Sequence, residues 1–409
     1  MTLMAGRGIA QVLILFTAPL VTRLFTPEDF STLEHYAMLL AVLGIFTTFR
    51  MEMGIVKTPS EVHAKALLRW CLRTSVVVSL VVLLLLIPSH GGITALFQNP
   101  ELSPWLWLIP LNLVLIGWHQ TYTYWHNRRK QFRISSISQL AFVASNEGAK
   151  LGFGWLGFAP GGLPVANVLA RATSAWVLGR SGRTERQAIT ALPSDQKEAL
   201  EIHRGFRRYV SWSALLAQVA TWAHILLFSH FFGLWSIGLF ALSRRLILAP
   251  LTILSQSFAQ VFYQRISELP TGAELRRLFY RSLAMFAGLG TAVVVVGMLI
   301  PDHWYTWLLG DKWSELGVFV RLVLPWFGLN IITSGLSFIN IRLDKEQYIL
   351  LLNALHVLLV VGSILYSVQV GMTEWEALTL FVWAKVAYLA LSILVMVYFV
   401  HSSKREPSS

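Results

Sequence analysis

WSIGLFALSRRLILAPLTILSQSFAQVFYQRISE, residues 235–268, is apolar and long enough to cross a bilayer, for which about 20 apolar residues suffice. It nevertheless carries Arg244 and Arg245 and no acid until Glu268. At about 1.5 Å per residue, Arg245 lies roughly 15 Å below Trp235, near the midplane of a hydrocarbon core about 30 Å thick. An ionised group there is costly, and arginine does not escape by losing its proton. Gly238, Ala241, Arg245, Ala249, Thr252 and Gln256 follow i, i+3, i+4 steps and form one small or polar stripe. Arg244 falls with Ile237, Leu248 and Leu251 on a greasier face, which predicts packing at a helix edge. Pro250 removes one ladder bond and predicts a kink about a turn below Arg245. A fixed positive charge on a polar seam beside a kink points to an internal site for something anionic.

The rest of the chain is of the same kind. Its 409 residues are 55% hydrophobic and 13% charged, against about 25% charged in average soluble domains. The mean hydropathy is +0.59. This composition is that of a multi-pass, all-α membrane protein. Twelve spans are predicted, at about 8–25, 33–56, 67–87, 104–125, 134–158, 160–179, 209–231, 235–262, 278–300, 316–340, 347–369 and 376–400. Of the 16 Trp, many fall near predicted membrane edges, among them Trp70, Trp105, Trp107, Trp125, Trp235, Trp304, Trp307 and Trp375. The first apolar segment runs straight into another, so no cleavable signal peptide is expected. A single Cys71 excludes an internal disulfide framework and a multi-cysteine zinc site, and the histidines have no metal-ligand spacing.

The formal net charge of +12 reads as topology rather than as a nucleic-acid footprint. Alternate loops hold 23 of the 33 Lys and Arg, while the opposite loops hold only Arg23, Lys312 and Arg321. Both termini are therefore expected on the cytoplasmic side. The longest non-apolar segment, 180–208, has mixed charges and no apolar core. It is expected to be a cytoplasmic linker between an N-terminal six-helix lobe, 1–179, and a C-terminal six-helix lobe with a short tail, 209–409. The halves echo each other faintly. LLRWCLRTSVVVSLVVLLLLIP (67–88) and LRRLFYRSLAMFAGLGTAVVVVGMLIP (275–301) share a basic start and an Ile-Pro end. Two pseudo-symmetric lobes around a central cavity are the expected architecture.

Seven basic residues lie outside the loops: Arg7, Arg50, Lys150, Arg171, Arg244, Arg245 and Lys385. Glu147 is the one deeply placed acid, with Glu34 and Glu52 nearer span ends. Such an excess of positive charge needs water or an anionic ligand to offset it. Glu147 and Lys150, three apart on one helix, either neutralise each other or serve a ligand or coupling role. Arg171 shares a face with Asn167 and Ser174, and Lys385 with Tyr388 and Ser392; both are read as facing a cavity, with snorkelling or pairing elsewhere left open. Arg50 lies near a cytoplasmic end, where snorkelling is the default. Arg23 either guards the outer mouth or meets lipid headgroups. His119 and Asn112 are read as structural. Catalysis has little to stand on: the chain has no G-x-x-x-x-G-K-[ST] loop, no D-x-D pair, no H-E-x-x-H and no G-x-S-x-G. A non-enzymatic protein without a cofactor is expected.

Four phrases carry a resemblance. APLVTRLFTPEDFS (18–31), FRMEMGIVKTPS (49–60), the 237–268 stretch and LLGDKWSELGVFVR (308–321) resemble, in order, the signature phrases of bacterial polysaccharide-biosynthesis flippases. These Wzx-like carriers form a branch of the multidrug/oligosaccharidyl-lipid/polysaccharide (MOP) exporter superfamily. Arg23, Pro27, Glu28, Asp29 and Phe30 match the first phrase and Arg50, Glu52, Ile55 and Val56 the second. Arg245 falls on the family arginine five residues before the proline. Ser31 stands where the family has Gly, and Met51 where it has an aromatic. The resemblance implies a lipid-linked oligosaccharide flippase of the bacterial inner membrane. Its cargo would be an undecaprenyl-pyrophosphate-linked O-antigen (lipopolysaccharide) or exopolysaccharide repeat unit, moved to the outer leaflet by alternating access. Arg245, Arg244, Arg171, Lys385, Lys150, Arg50 and Arg23 are then the candidates to hold the anionic headgroup. Glu147 is the candidate for coupling to H+ or Na+, and a polymerase and glycosyltransferases of the same pathway are the expected partners, with no nucleic acid. Two rivals stay open, a multidrug antiporter of the same superfamily and a membrane-embedded polysaccharide polymerase or ligase.

Overall fold

The phrase Thr26-Pro27-Glu28-Asp29 is a helix start written in sequence, and the structure uses it as one. In the computed structural model, which describes residues 2–181, 183, 187, 190–248, 251, 255, 258, 259, 262, 265, 266, 272–343 and 345–402, helix α1 (Thr2–Leu24) stops just before it and α2 (Pro27–Leu43) begins within it. Thr26 Oγ1 accepts from the Asp29 amide at 3.2 Å, and the Thr26 amide donates to Asp29 Oδ2 at 2.7 Å. This reciprocal box satisfies two orphan donors, and Pro27 at the first helical position has no amide to leave unsatisfied. The chain turns through 120° here. Gly238 packs on the backbone of Pro27 so closely that no Cβ would fit.

All regular structure among the described residues is helical. Contacts divide the chain into two units, Met1–Gly238 and Leu239–Ser409. In the first, a short helix α3 (Glu52–Lys57) precedes α4 (Glu61–Phe97); a 3-10 segment, Pro100–Leu108, leads into α5 (Ile109–Arg128), followed by α6 (Phe132–Trp155) and α7 (Gly162–Arg180). Helix α6 packs against both α1 and α7, and α5 lies against α4 and α7. Two buried clusters hold this unit. One joins Tyr36 and Leu40 to Leu102, Leu106 and Leu113; the other joins Ile55, Leu67 and Trp125. Arg128 staples the α3–α4 turn to α5: its guanidinium donates to the carbonyls of Ile55 (3.0 Å), Thr58 and Pro59 (3.1 Å) and to Glu61 Oε1 at 2.9 Å.

Within the expected linker, Pro193–Ile202 forms a helix, α8, which packs on α4. Asp195 caps it by accepting from the Leu192 amide at 2.6 Å, and Ala199 joins the Trp125 cluster. Burial, with Lys57 and His63 adding to it, holds the following His203 below the ordinary imidazole range. Helix α9 (Ser211–Phe231) packs on α2 and α4 and so belongs by contact with the first unit.

Helix α10 (Trp235–Ser243) passes from one unit to the next in sequence. The second unit continues with α11 (Ala273–Leu299), α12 (Asp302–Leu309), α13 (Leu316–Leu336), α14 (Ile339–Arg342), α15 (Glu346–Val370) and α16 (Glu374–Ser402). Its centre is a seam of glycines seven residues apart, Gly290 and Gly297 on α11 against Gly328 and Gly335 on α13. A Cβ on Gly290 would stand 2.7 Å from the Gly328 carbonyl oxygen, and one on Gly297 would strike the Leu324 side chain. In lipid, such small-residue seams give helices their close packing, because apolar burial gains nothing over the lipid tails. Phe279, Phe286, Ile331, Met396 and Val400 continue the core along it.

Eleven of the twelve expected spans coincide with helix over their described residues, the eighth being described continuously through Leu248; the second, 33–56, is broken, because α2 ends at Leu43 and α3 begins only at Glu52. Among the described residues seven helices are by themselves long and apolar enough to cross a membrane, and the α1–α2 pair makes an eighth if taken as one span. The third span is corrected as well. The third span does not end at Ile87-Pro88; α4 runs 37 residues, through Pro88 to Phe97. The matching Ile300-Pro301 does end α11. The two Ile-Pro phrases therefore look alike in sequence and act differently.

Candidate functional site

In each unit a candidate basic side chain lies over an aromatic ring. In the first, Arg171 on α7 stands with its guanidinium carbon 4.9 Å from the centre of the Phe142 ring on α6. Its Nε is buried with no hydrogen-bond partner among the described residues, and no carboxylate pairs with it there. Tyr36 and His119 lie near enough to feel its charge. Around it runs a neutral polar network. Asn112 Nδ2 donates to Tyr36 Oη at 3.1 Å and to Asn167 Oδ1 at 3.0 Å. Ser174 Oγ lies 2.8 Å from His119 Nδ1 and 2.7 Å from Ser138 Oγ. Asn112 and His119, expected to be structural, hold the helices that present Arg171.

In the second unit Lys385, 6% exposed, lies with its ammonium 4.8 Å from the Trp326 ring centre and 5.5 Å from that of Phe381. Among the described residues no carboxylate pairs with it. Trp326 is itself stacked on Phe240 at 5.4 Å, and Tyr388, one turn from Lys385, stacks on His356 at 4.2 Å. Aromatic faces attract a cation through their quadrupoles but leave its formal charge uncancelled. An anion entering either place would meet a preset positive charge.

The other candidates fall into different settings. Lys150 pairs with Glu147 at 3.1 Å, both buried, and Glu147 Oε2 also accepts from Thr17 at 3.1 Å. Arg50 is 3.8 Å from Glu52 Oε1, whose other oxygen accepts from Thr48 Oγ1 at 2.6 Å. Phe49 and Arg50 have φ of 49° and 58°, the left-handed region, so the α2–α3 connection holds two residues in a conformation that L side chains rarely adopt. Arg23 is exposed at the C-terminal end of α1, where a cation also complements the helix dipole.

Arg244 and Arg245 open a π-helical turn, Arg244–Leu248, that follows α10 directly, and both are half-buried. The wider turn displaces their side chains from regular helical spacing. The expected kink at Pro250 and the stripe positions Ala249, Thr252 and Gln256 lie outside the described residues. The aromatic partners Phe142, Trp326 and Phe381 escaped sequence reading, because nothing in their local spacing distinguishes them from other core aromatics.

The described helices make this a multi-pass membrane protein, and its fold is the one seen in MOP-superfamily transporters. Among solved structures the chain is similar to an inward-facing multidrug resistance MATE family transporter of the MOP superfamily, with a TM-score of 0.66 at 14% identity over 96% of this chain and 95% of that one. A MOP superfamily transporter from Pyrococcus furiosus, described as having a binding pocket of reverse polarity that suggests a different function, gives 0.62 at 12% identity over 98% and 94%. The MATE multidrug transporter DinF-BH in complex with R6G gives 0.60 at 13% identity over 97% and 95%. These neighbours are transporters rather than enzymes. A comparison with curated proteins returns no match. The model of the polysaccharide biosynthesis protein family matches residues 20–317, and the chain belongs to that family.

Proposed function

We propose that this protein is a flippase that moves an undecaprenyl-pyrophosphate-linked oligosaccharide, an O-antigen or exopolysaccharide repeat unit, from the cytoplasmic to the outer leaflet of the bacterial inner membrane. Alternating access carries the headgroup, and both termini face the cytoplasm. One observation carries the reading: Arg171 and Lys385, one in each unit, stand among aromatic rings with no carboxylate paired to them among the described residues. A pyrophosphate supplies the missing counter-charge, and guanidinium groups grip it through charge-assisted hydrogen bonds. Arg245 and Arg244 add to the same task from the π turn. No bond is made or broken. Glu147 remains the candidate for H+ or Na+ coupling, acting as a pair with Lys150.

The rival reading, a multidrug antiporter for cationic compounds, needs carboxylates to face its cargo. The deep carboxylate here is already paired with Lys150, which favours an anionic cargo. The test is transfer of a lipid-linked oligosaccharide in proteoliposomes, with Arg245→Ala, Arg245→Lys and Arg171→Gln beside the parent. Arg245→Ala and Arg171→Gln are expected to abolish transfer at normal insertion, and Arg245→Lys to retain part of it. Full transfer by both neutral variants would remove these arginines from the mechanism.

A further inference from the structure

Three helices of the first unit each turn one stripe toward a common groove of about 960 Å³. Its floor is α5, through Leu115, Trp118 and Tyr122; its walls are Leu68 and Leu72 on α4 and Ala172, Ala175 and Trp176 on α7. The i, i+3, i+4 spacing within each set is what aligns them along one face. At one end the apolar lining gives way to four basic side chains, Lys65, Arg69, Arg180 and Arg183, and the described lining holds no acid. Gly179 lets α7 approach Tyr122, since a Cβ there would come within 3.3 Å of the ring. None of the groove residues belongs to the Arg171 or Lys385 settings.

The geometry points to a binding site for an anionic phospholipid, its phosphate under the basic end and an acyl chain along the α5 floor. Three features select that chemistry. Arg69 donates to the Ala191 carbonyl at 2.9 Å and Lys65 to that of Gln187 at 3.4 Å, so the segment after α7 braces two of the cations in place. The bond to Ala191 is the one hydrogen bond of Arg69 among the described residues, and it uses a single donor of the five on a guanidinium. Trp176, 61% exposed, carries the Arg180 guanidinium 5.5 Å from its ring centre, and Trp118 lies across the groove. Tryptophans at this level are the amphipathic anchors of a membrane interface. The aliphatic floor adds what a free anion would not use. Phospholipid is also the bilayer's own solvent, present at higher concentration than any other amphiphile.

The site stands whether or not the chain moves lipid-linked glycans, and its test reads binding alone. The full chain is purified in detergent and lipid retention is followed by native mass spectrometry against phosphatidylglycerol and phosphatidylcholine of equal chain length. One phosphatidylglycerol is expected to be retained in preference to phosphatidylcholine. Arg69→Gln with Arg180→Gln should weaken it about 30-fold, at about 5-fold per surface cation, and the matching double Lys variant should recover it. Ala172→Phe, which fills the groove and keeps every charge, should also abolish retention. Equal retention of the two lipids, or no change in both the double Gln and the Phe variants, overturns the site. Displacement of phosphatidylglycerol by equimolar inorganic phosphate, or preference for undecaprenyl phosphate over it, overturns the assignment to phospholipid.

Discussion

Replacing Lys385 by Met separates a structural cation from a working one. The substitution keeps the volume and unbranched shape of the side chain but removes the charge. What is lost is the attraction to Trp326 and Phe381, at 4.8 and 5.5 Å, about 1–2 kcal/mol for each desolvated contact. What is regained is the cost of holding an ammonium in the membrane, about 3 kcal/mol on the insertion scale. The two roughly cancel, so the fold should change in stability by no more than about 1 kcal/mol. Transport should behave otherwise. A hydrogen bond to a charged group is worth about 1.5–3 kcal/mol, and its loss should weaken headgroup binding about 10- to 100-fold. The paired assays are thermal unfolding of the purified protein and transfer of a lipid-linked oligosaccharide in proteoliposomes, with Lys385→Arg as the charge-retaining control. The reasoning is refuted if Lys385→Met unfolds the protein, which would make the residue a packing element, or if it transfers cargo at the parent rate.

Glu147→Gln should destabilise by about 3–5 kcal/mol, because it leaves Lys150 buried without its carboxylate, whereas Glu147→Gln with Lys150→Met should restore most of that loss; denaturation of both variants decides it. If the pair couples transport to a cation gradient, the double variant moves cargo downhill but no longer responds to an imposed pH or Na+ gradient, and an unchanged response removes the pair from coupling. Gly328→Leu should separate α11 from α13, since even a Cβ at Gly328 would meet Val294 at 2.7 Å; loss of the membrane-inserted fold by protease sensitivity is the readout, with Gly288→Ala, which meets no neighbour, as control. Thr26→Ala should cost about 1 kcal/mol through the lost cap, read from unfolding midpoints. For His203 the direction of the shift gives the sign. The folded form resists protonation, so α8 docking is at full strength above the ordinary value of about 6.5 and weakens as pH falls through the lowered one. Amide exchange over 193–202 at pH 7.5 and pH 5, each divided by its intrinsic rate, should show lower protection in acid, and His203→Phe should abolish the difference in protection.

Much of this protein is legible along one dimension. A span is a local property, because every backbone group in lipid must be satisfied within its own helix. Hydropathy and turn chemistry therefore place the helices, and the reversal between α1 and α2 is spelled out by Thr26, Pro27 and Asp29. The Glu147–Lys150 pair is legible for the same reason, its partners being one turn apart. The misplaced cations are equally visible, since a charge inside an apolar run needs no structure to be noticed. What surrounds them is another matter. Phe142 comes to Arg171 from a different helix, and Trp326 reaches Lys385 from a span two earlier in the expected order. Those meetings depend on how helices cross, and crossing is decided by close contacts such as Gly290 on Gly328. In sequence Lys65, Arg69, Arg180 and Arg183 are topology signals; only packing gathers them at the end of one groove. Pro88 makes the same point in the backbone, for a proline that ends one helix is carried through another. Sequence by itself determined which segments cross the membrane and which charges are out of place, because both are costs borne locally against lipid. Tertiary structure alone decided what those charges face, because a partner on another helix leaves no period to read.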